Sequence, residues 1–283
     1  MVVRLISFLL VASACLAQPR RIVSTAPSIT EMLYALGLGD RVVGVTTFCH
    51  YPPKAARKPK IGNYLRPDVE TILALHPDLV IAEKSMIRQA LSLPRLKLNL
   101  LEVDDATIPG IYDSIRAIGL ATGAKARAEN LCEEIRKDLE SIRERTSRLP
   151  PSRVLFVVGR TPGRIEDLIA AGGSTYLDEL IQIAGGETVF RDAPVAYSKV
   201  NLEEVLARDP DVIIDMGEMA QTVGITDQQR RSVVALWQRY PSLKAVRNHR
   251  VFAVASDIFV VPGPRVTLAA RQIAAMLHPE MVP

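Results

Sequence analysis

Two stretches of the chain repeat one pattern of apolar and polar positions. Residues 67–81 and 202–214 each read as a two-turn helix, a Pro-Asp break and a short apolar run suited to a buried parallel strand. An offset of 133 places Glu70 on Glu203, Leu73 on Leu206, Ala74 on Ala207, Pro77 on Pro210, Asp78 on Asp211 and Ile81 on Ile214. A unit recurring at half-chain distance predicts two lobes of similar build, each with a carboxylate at the same place.

Around the first copy the pattern alternates strand and helix. Residues 21–26 form an apolar strand, and Ser28-Ile29-Thr30-Glu31 has capping-box spacing for a helix that Gly37 ends. Residues 42–48 are a second strand, and adjacent Pro52 and Pro53 stop it. Residues 79–83 and 98–103 complete a βα alternation, which implies a mostly parallel sheet covered by helices. Ligands of such sheets gather beyond the strands' carboxyl ends, here near Ser24-Thr25, Phe48-Cys49, Tyr64 and Glu83.

Residues 125–148 contain neither proline nor glycine, and Ala128, Leu131, Ile135, Leu139 and Ile142 recur at spacings of three and four. This predicts one amphipathic helix of about 36 Å, a stiff rod between lobes. The second lobe opens with a strand over 153–159. Gly172-Gly173-Ser174 leads into a helix that ends near Gly185-Gly186. Residues 192–199 read as a loop carrying Tyr197, and Asn201 as the cap of the second repeat copy. A helix over 226–240 half-buries Trp237, a strand covers 251–255, a loop 256–263, and the last helix 264–277. The fold class is therefore α/β: two α/β lobes with mostly parallel sheets joined by one long helix. The parts are 1–17 (signal), 20–124 (N-terminal lobe), 125–148 (connecting helix) and 153–283 (C-terminal lobe).

Residues 1–17 read as an export signal, with Arg4 before an apolar run too short to span a bilayer. Cleavage after Ala17 puts Cys15 and Ala17 at −3 and −1. Read as a lipobox, Val11-Ala12-Ser13-Ala14-Cys15 instead makes Cys15 a lipidated N-terminus. A periplasmic chain, free or lipid-anchored through Cys15, is expected. Arg4 is the only charge in that segment, so the net charge of +4 falls to +3 on its removal. With so small an excess, few aromatics and no basic run, nucleic-acid binding has no support. Cys49 and Cys132 either pair in the oxidising compartment or stay as two thiols.

Catalytic chemistry finds no constellation. His50 adjoins Cys49, but neighbours on extended chain point to opposite faces. No nucleophile elbow or phosphate loop occurs, and Gly37-Leu38-Gly39 lacks the third glycine of a dinucleotide fingerprint. His50, His76, His249 and His278 have no metal-ligand spacing. An exported α/β enzyme is the different-class alternative; no catalytic residue, metal or resident cofactor is expected. For Glu70 and Glu203, a place in a helix's first turn favours the helix dipole by about 0.3–1 kcal/mol. A two-point charged face toward a two-fold partner is the functional reading.

Several motifs in order carry a family resemblance: residues 21–31, residues 44–53 with Tyr51-Pro52-Pro53, both repeat copies, the long helix, Ser256-Asp257 and Pro264-Arg265. The chain resembles substrate-binding proteins of ABC importers, of the class with two lobes joined by a rigid helix (class III, helical-backbone metal receptors). Within it the chain is most similar to cobalamin binders, with haem and ferric-siderophore binders as relatives. The resemblance implies capture of a corrinoid, or else of haem or a ferric siderophore, and delivery to a permease dimer with its ATPase subunits. It matches Phe48, Tyr64, Tyr197 and Asp257 to ligand-lining positions. Glu70 and Glu203 match the glutamates that dock on permease arginines. Glu83 and Ile258 stand where a cobalamin binder carries tryptophans, and Val261 where it carries an arginine.

Overall fold

The computed structural model describes residues 18–63, 66–84, 98–217 and 224–281. Residues 1–17, expected to be an export signal and containing Cys15, and the candidate ligand residue Tyr64 lie outside the described residues.

In the N-terminal lobe β1 (Ile22–Ser24), β2 (Val42–Val45), β3 (Leu79–Glu83) and β4 (Leu100–Val103) form a sheet of order β2-β1-β3-β4. Every pairing in it is parallel. Its helices among the described residues are α1 (Pro27–Ala35), α2 (Pro53–Ala56), α3 (Val69–Ala74) and α4 (Ile108–Thr122). The predicted capping box at the start of α1 does not form. Pro27 occupies the first helical position, the cap residue Ala26 offers no side chain, and Glu31 is engaged by a distant arginine.

A single helix, α5 (Lys125–Thr146), then crosses to the second lobe. Its buried stripe is Ala128, Cys132, Ile135, Leu139 and Ile142, so Cys132 takes the burial expected for Leu131, which is only half-buried. Cys49 and Cys132 are both free thiols.

The C-terminal lobe comprises β5 (Ser152–Gly159), β6 (Leu168–Ala171), α6 (Tyr176–Ile183), β7 (Gly186–Thr188), β8 (Tyr197–Val200), α7 (Leu202–Arg208) and β9 (Val212–Asp215). It continues with α8 (Asp227–Trp237), α9 (Lys244–Arg247), β10 (Val251–Ala253) and α10 (Val266–Leu277). The strand order is β10-β9-β5-β6-β8, with β7 also on β5. The pairs β10-β9, β9-β5 and β5-β7 are parallel, whereas β6 runs antiparallel to β5 and β8. Tyr197 therefore opens a strand where the composition predicted a loop. Trp237 is fully buried, because its indole N–H has a buried acceptor 2.6 Å away in Asp215.

The repeat goes deeper than its sequence. His76 and Asp209 end α3 and α7 with φ of 44° and 39°, the left-handed exit that lets the chain turn back into a strand. Asp78 then accepts from the backbone N–H groups of Arg20 (2.7 Å) and Arg21 (2.9 Å), and Asp211 from that of Arg153 (2.9 Å). Arg21 and Arg153 in turn donate to the carbonyls of Leu75 and Asp209, at 2.6 and 3.3 Å. Each Pro-Asp thus pins its own strand to the first strand of its lobe.

Helices α4 and α5 meet at a close approach. A Cβ on Gly119 would lie 2.4 Å from the Cβ of Ala128, an atom that cannot swing aside. Helix propensity favours alanine over glycine by about 1 kcal/mol, and overpacking costs about 1–3 kcal/mol. Because the obstructing atom is fixed to the backbone, the steric term wins. Gly119→Ala is expected to lower stability by roughly 1–2 kcal/mol, read as a drop in denaturation midpoint; a rise would show that the helices separate freely.

Candidate functional site

Segments beyond the carboxyl ends of β1, β4 and β10 meet between the lobes, where Glu31 pairs with Arg265 and Ala106 with Tyr176. After β2, Phe48 is 53% exposed and Tyr51 45% exposed. From the opposite lobe, Tyr197 at the start of β8 is 41% exposed. Tyr and Phe rings left in water at strand ends are apolar contact surface with little rotamer entropy to lose.

One side of the gap is bridged by Arg265, just before α10. Its guanidinium grips Glu31 of α1 through Nε, at 2.9 Å from Oε2, and through Nη2 to Oε1. It also holds Asp257 by two bonds, Nη1 to Oδ1 at 3.0 Å and Nη2 to Oδ2 at 2.9 Å, and lies 4.1 Å over the Tyr51 ring. Burial pushes the Glu31 carboxyl up, and Arg265 opposes that shift. Asp257, expected to face a ligand, is thus already paired within its own chain.

Elsewhere Tyr176 N–H donates to the Ala106 carbonyl at 2.8 Å, and Ile108 N–H to Glu179 Oε2 at 2.5 Å, again between lobes. The N–H groups after Gly172-Gly173-Ser174 are partly taken: Tyr176 by Ala106, and Asp178 by its cap Thr175. Deep in the second lobe Arg160 pairs with Asp215 at 2.9 Å, beside Trp237.

Glu83, at the end of β3, is half-buried and accepts from Ser28 Oγ at 3.1 Å. Beyond β4, Asp105 is 6% exposed and interacts with Ser28 and Glu83 of its own lobe and with the Tyr176 and Tyr197 phenols of the other. Burial first, then the neighbouring Glu83, pushes the Asp105 carboxyl up to about 8. Burial and Asp105 push the Tyr197 phenol up to about 12.

Cys49 is buried in the N-terminal core, with its sulfur 3.1 Å from both Thr30 Oγ1 and Thr46 Oγ1, and burial raises its thiol. His50 is exposed beside it. Among the described residues no three His, Cys, Asp or Glu side chains could hold a metal ion. Glu70 and Glu203 are exposed at equivalent points of α3 and α7.

Sequence reasoning missed Glu31, Asp105 and Arg265. Asp105 was within reach of the strand-end rule, since it follows β4 by two residues. Glu31 and Arg265 are 234 residues apart, and no local pattern links them.

Residues 22–258 match the periplasmic binding protein family. The ABC transporter substrate-binding lipoprotein YvrC of Bacillus subtilis is 31% identical over 271 residues, covering 93% of this chain and 81% of that one. Among solved structures, the periplasmic vitamin B12 binding protein BtuF of Vibrio cholerae superposes with a TM-score of 0.78 at 26% identity, covering 94% of this chain and 99% of that one. The periplasmic heme-binding protein RhuT of Roseiflexus sp. RS-1 gives 0.76 at 28% identity, covering 92% and 98%.

Asp105 generates a pH test. Its folded value lies above the ordinary carboxylate range, so between about pH 4 and pH 8 the native state holds a proton that the unfolded state has lost. Stability contributed at low pH is lost as pH rises through that window. Asp105→Asn, which cannot ionise, is expected to match the wild type near pH 4 and to exceed it near pH 8 by an amount on the order of a few kcal/mol. Urea unfolding midpoints across pH measure this; parallel curves for the two proteins would refute it.

Proposed function

This chain belongs to the periplasmic binding protein family, as a solute-binding protein of an ABC importer, and from that premise we propose that its cleft captures a corrinoid. The observation that carries the reading is the set of exposed aromatics, Phe48 and Tyr51 on one lobe and Tyr197 on the other, in a chain similar over nearly its whole length to a vitamin B12 binding protein. A macrocycle offers broad apolar faces and a polar periphery, which suits aromatic rings among hydrogen-bonding groups. Haem or a ferric siderophore is the second reading, favoured by the likeness to the heme-binding RhuT. Phe48, Tyr64, Glu83 and Tyr197 are the proposed contacts, with Asp257 acting through Arg265 and Cys49 shaping the loop from beneath. Calorimetric titration with cobalamin, cobinamide, haem and a ferric siderophore decides between the readings. Micromolar or tighter corrinoid binding is expected; silence from both corrinoids alongside tight binding of another compound would overturn the assignment.

Delivery requires a permease with its ATPase subunits, and the family implies an extracytoplasmic location. No helix among the described residues is long and apolar enough to cross a membrane. Export through residues 1–17, with or without lipidation at Cys15, completes the reading. Glu70 and Glu203 are the proposed docking points, one per lobe, each meeting arginines of one subunit of a two-fold permease. Neither carboxylate has a hydrogen bond or ion pair among the described residues, so each is free for a bidentate partner. Losing one side of a desolvated pair costs about 2–5 kcal/mol. The double variant Glu70→Ala, Glu203→Ala is expected to keep its fold and ligand affinity while uptake and permease binding fall sharply. Uptake at the wild-type rate would remove the docking role.

A further inference from the structure

Asp105 is an anomaly within the cleft. It is 6% exposed, yet its Oδ2 has no hydrogen-bond partner among the described residues. A buried acceptor left unmade destabilises a fold, so one at the seam between the lobes invites a donor brought by a ligand that enters there. Among the described residues, Ser28 supplies a hydroxyl from α1, Glu83 a carboxyl from β3, and Asp104 a second carboxyl from its own loop, paired with Lys84. The Tyr176 and Tyr197 phenols act on it from the other lobe, Tyr176 with its hydroxyl already given to the Phe259 carbonyl at 2.6 Å. The two arginines nearest in function are committed elsewhere, Arg265 to Glu31 and Asp257, and Arg160 to Asp215.

We propose that Asp105, flanked by Glu83, is a subsite for a primary carboxamide on the periphery of the bound macrocycle and selects against a carboxylate there. The proposal rests on the reading that the cleft takes a macrocycle, and it names the side-chain chemistry that reading leaves open. An amide N–H supplies the donor that Oδ2 lacks. Because burial keeps a proton on Asp105 at neutral pH, the carboxyl can also donate to the amide carbonyl. A carboxylate in the same place would add a third negative group to Glu83 and Asp104, and the lysine of that neighbourhood, Lys84, is already paired with Asp104 at 4.0 Å.

The test compares amide and acid forms of one ring system on the full mature protein at pH 7. Cobinamide and cobyrinic acid share a corrin but carry carboxamide and carboxylate side chains respectively; haem and its bis-amide form the parallel pair. Wild-type protein is expected to bind the amide form of the accepted ring at least tenfold more tightly than the acid form. Asp105→Leu is expected to lose at least tenfold for the amide and to abolish the preference, whereas Asp105→Asn stays within about threefold for the amide. Equal affinities in the wild type, or a preference that survives Asp105→Leu, overturns the subsite. Should Asp105→Leu fail to fold, the wild-type comparison still decides. Binding of the haem pair alone overturns the corrinoid reading while its amide preference still judges the subsite, and binding of neither pair overturns both.

Discussion

The structure depends on one uninterrupted apolar seam through α5. Ala128, Cys132, Ile135, Leu139 and Ile142 belong to a single buried cluster that reaches from Ile22 and Leu33 in the first lobe to Phe156, Leu180 and Ile273 in the second. Each large side chain in that seam contributes about 1.5–3 kcal/mol by leaving water. The helix is also tied at both ends: Arg127 Nη1 donates to the Leu36 carbonyl at 3.0 Å, and Thr146 Oγ1 to that of Ile183 at 2.8 Å. Swinging one lobe on the other would open this core or bend a helix that has no glycine or proline to bend at. The cleft is accordingly preorganised, and a ligand meets walls whose ordering cost was met during folding.

Arg265 supplies the polar counterpart of that seam. One guanidinium serves Glu31, Asp257 and the Tyr51 ring, joining the start of α1, the loop after β10 and the turn after β2. Such a pair is a poor source of net stability, since both ions give up hydration. Its geometry is nonetheless specific. A planar, five-donor fork fixes the relative position of three loops, which a lysine's point charge would not do. The aromatic ring beneath it is thereby held at the cleft while remaining 45% exposed.

What was legible in the sequence was what local physics decides. The repeat announced itself because helix, Pro-Asp break and apolar run are all encoded within 15 residues. The connecting helix followed from period and the absence of breakers, and Asn201 caps α7 with the reciprocal bond from Glu204 that its spacing allows. Reading failed where a remote partner outbid a local one. Glu31 had the spacing of a capping residue but is taken by Arg265, and Trp237 sank fully because Asp215 waits for its N–H. Tyr197 was misplaced for the same reason: β8 is a strand only because β6 lies beside it, with Ala171 opposite Tyr197. Cleft residues suffer most, since the gap is where chain segments distant in sequence meet.

The two repeat copies also bear on whether Glu70 and Glu203 are merely helix-start residues. In α3 the capping is done by Asp68, whose carboxylate accepts from Thr71 N at 3.1 Å and from Thr71 Oγ1 at 2.7 Å. In α7 it is done by Asn201 and Glu204, which accept from each other's backbone N–H at 2.9 and 2.8 Å. An orphan donor of each first turn thus has a dedicated side-chain partner, a different residue type in each copy. The carboxylate that stays in the same place in both copies is the one that does no capping. What remains for it within the chain is a dipole term of about 0.3–1 kcal/mol at an exposed site, which any acidic residue nearby in the turn supplies equally well. Glu203 even shares a surface recess with Arg164, Lys199 and Arg239 without an ion pair to any of them among the described residues. A pair of carboxylates kept free of intrachain partners at matching points of two lobes is the arrangement that a two-fold partner can use.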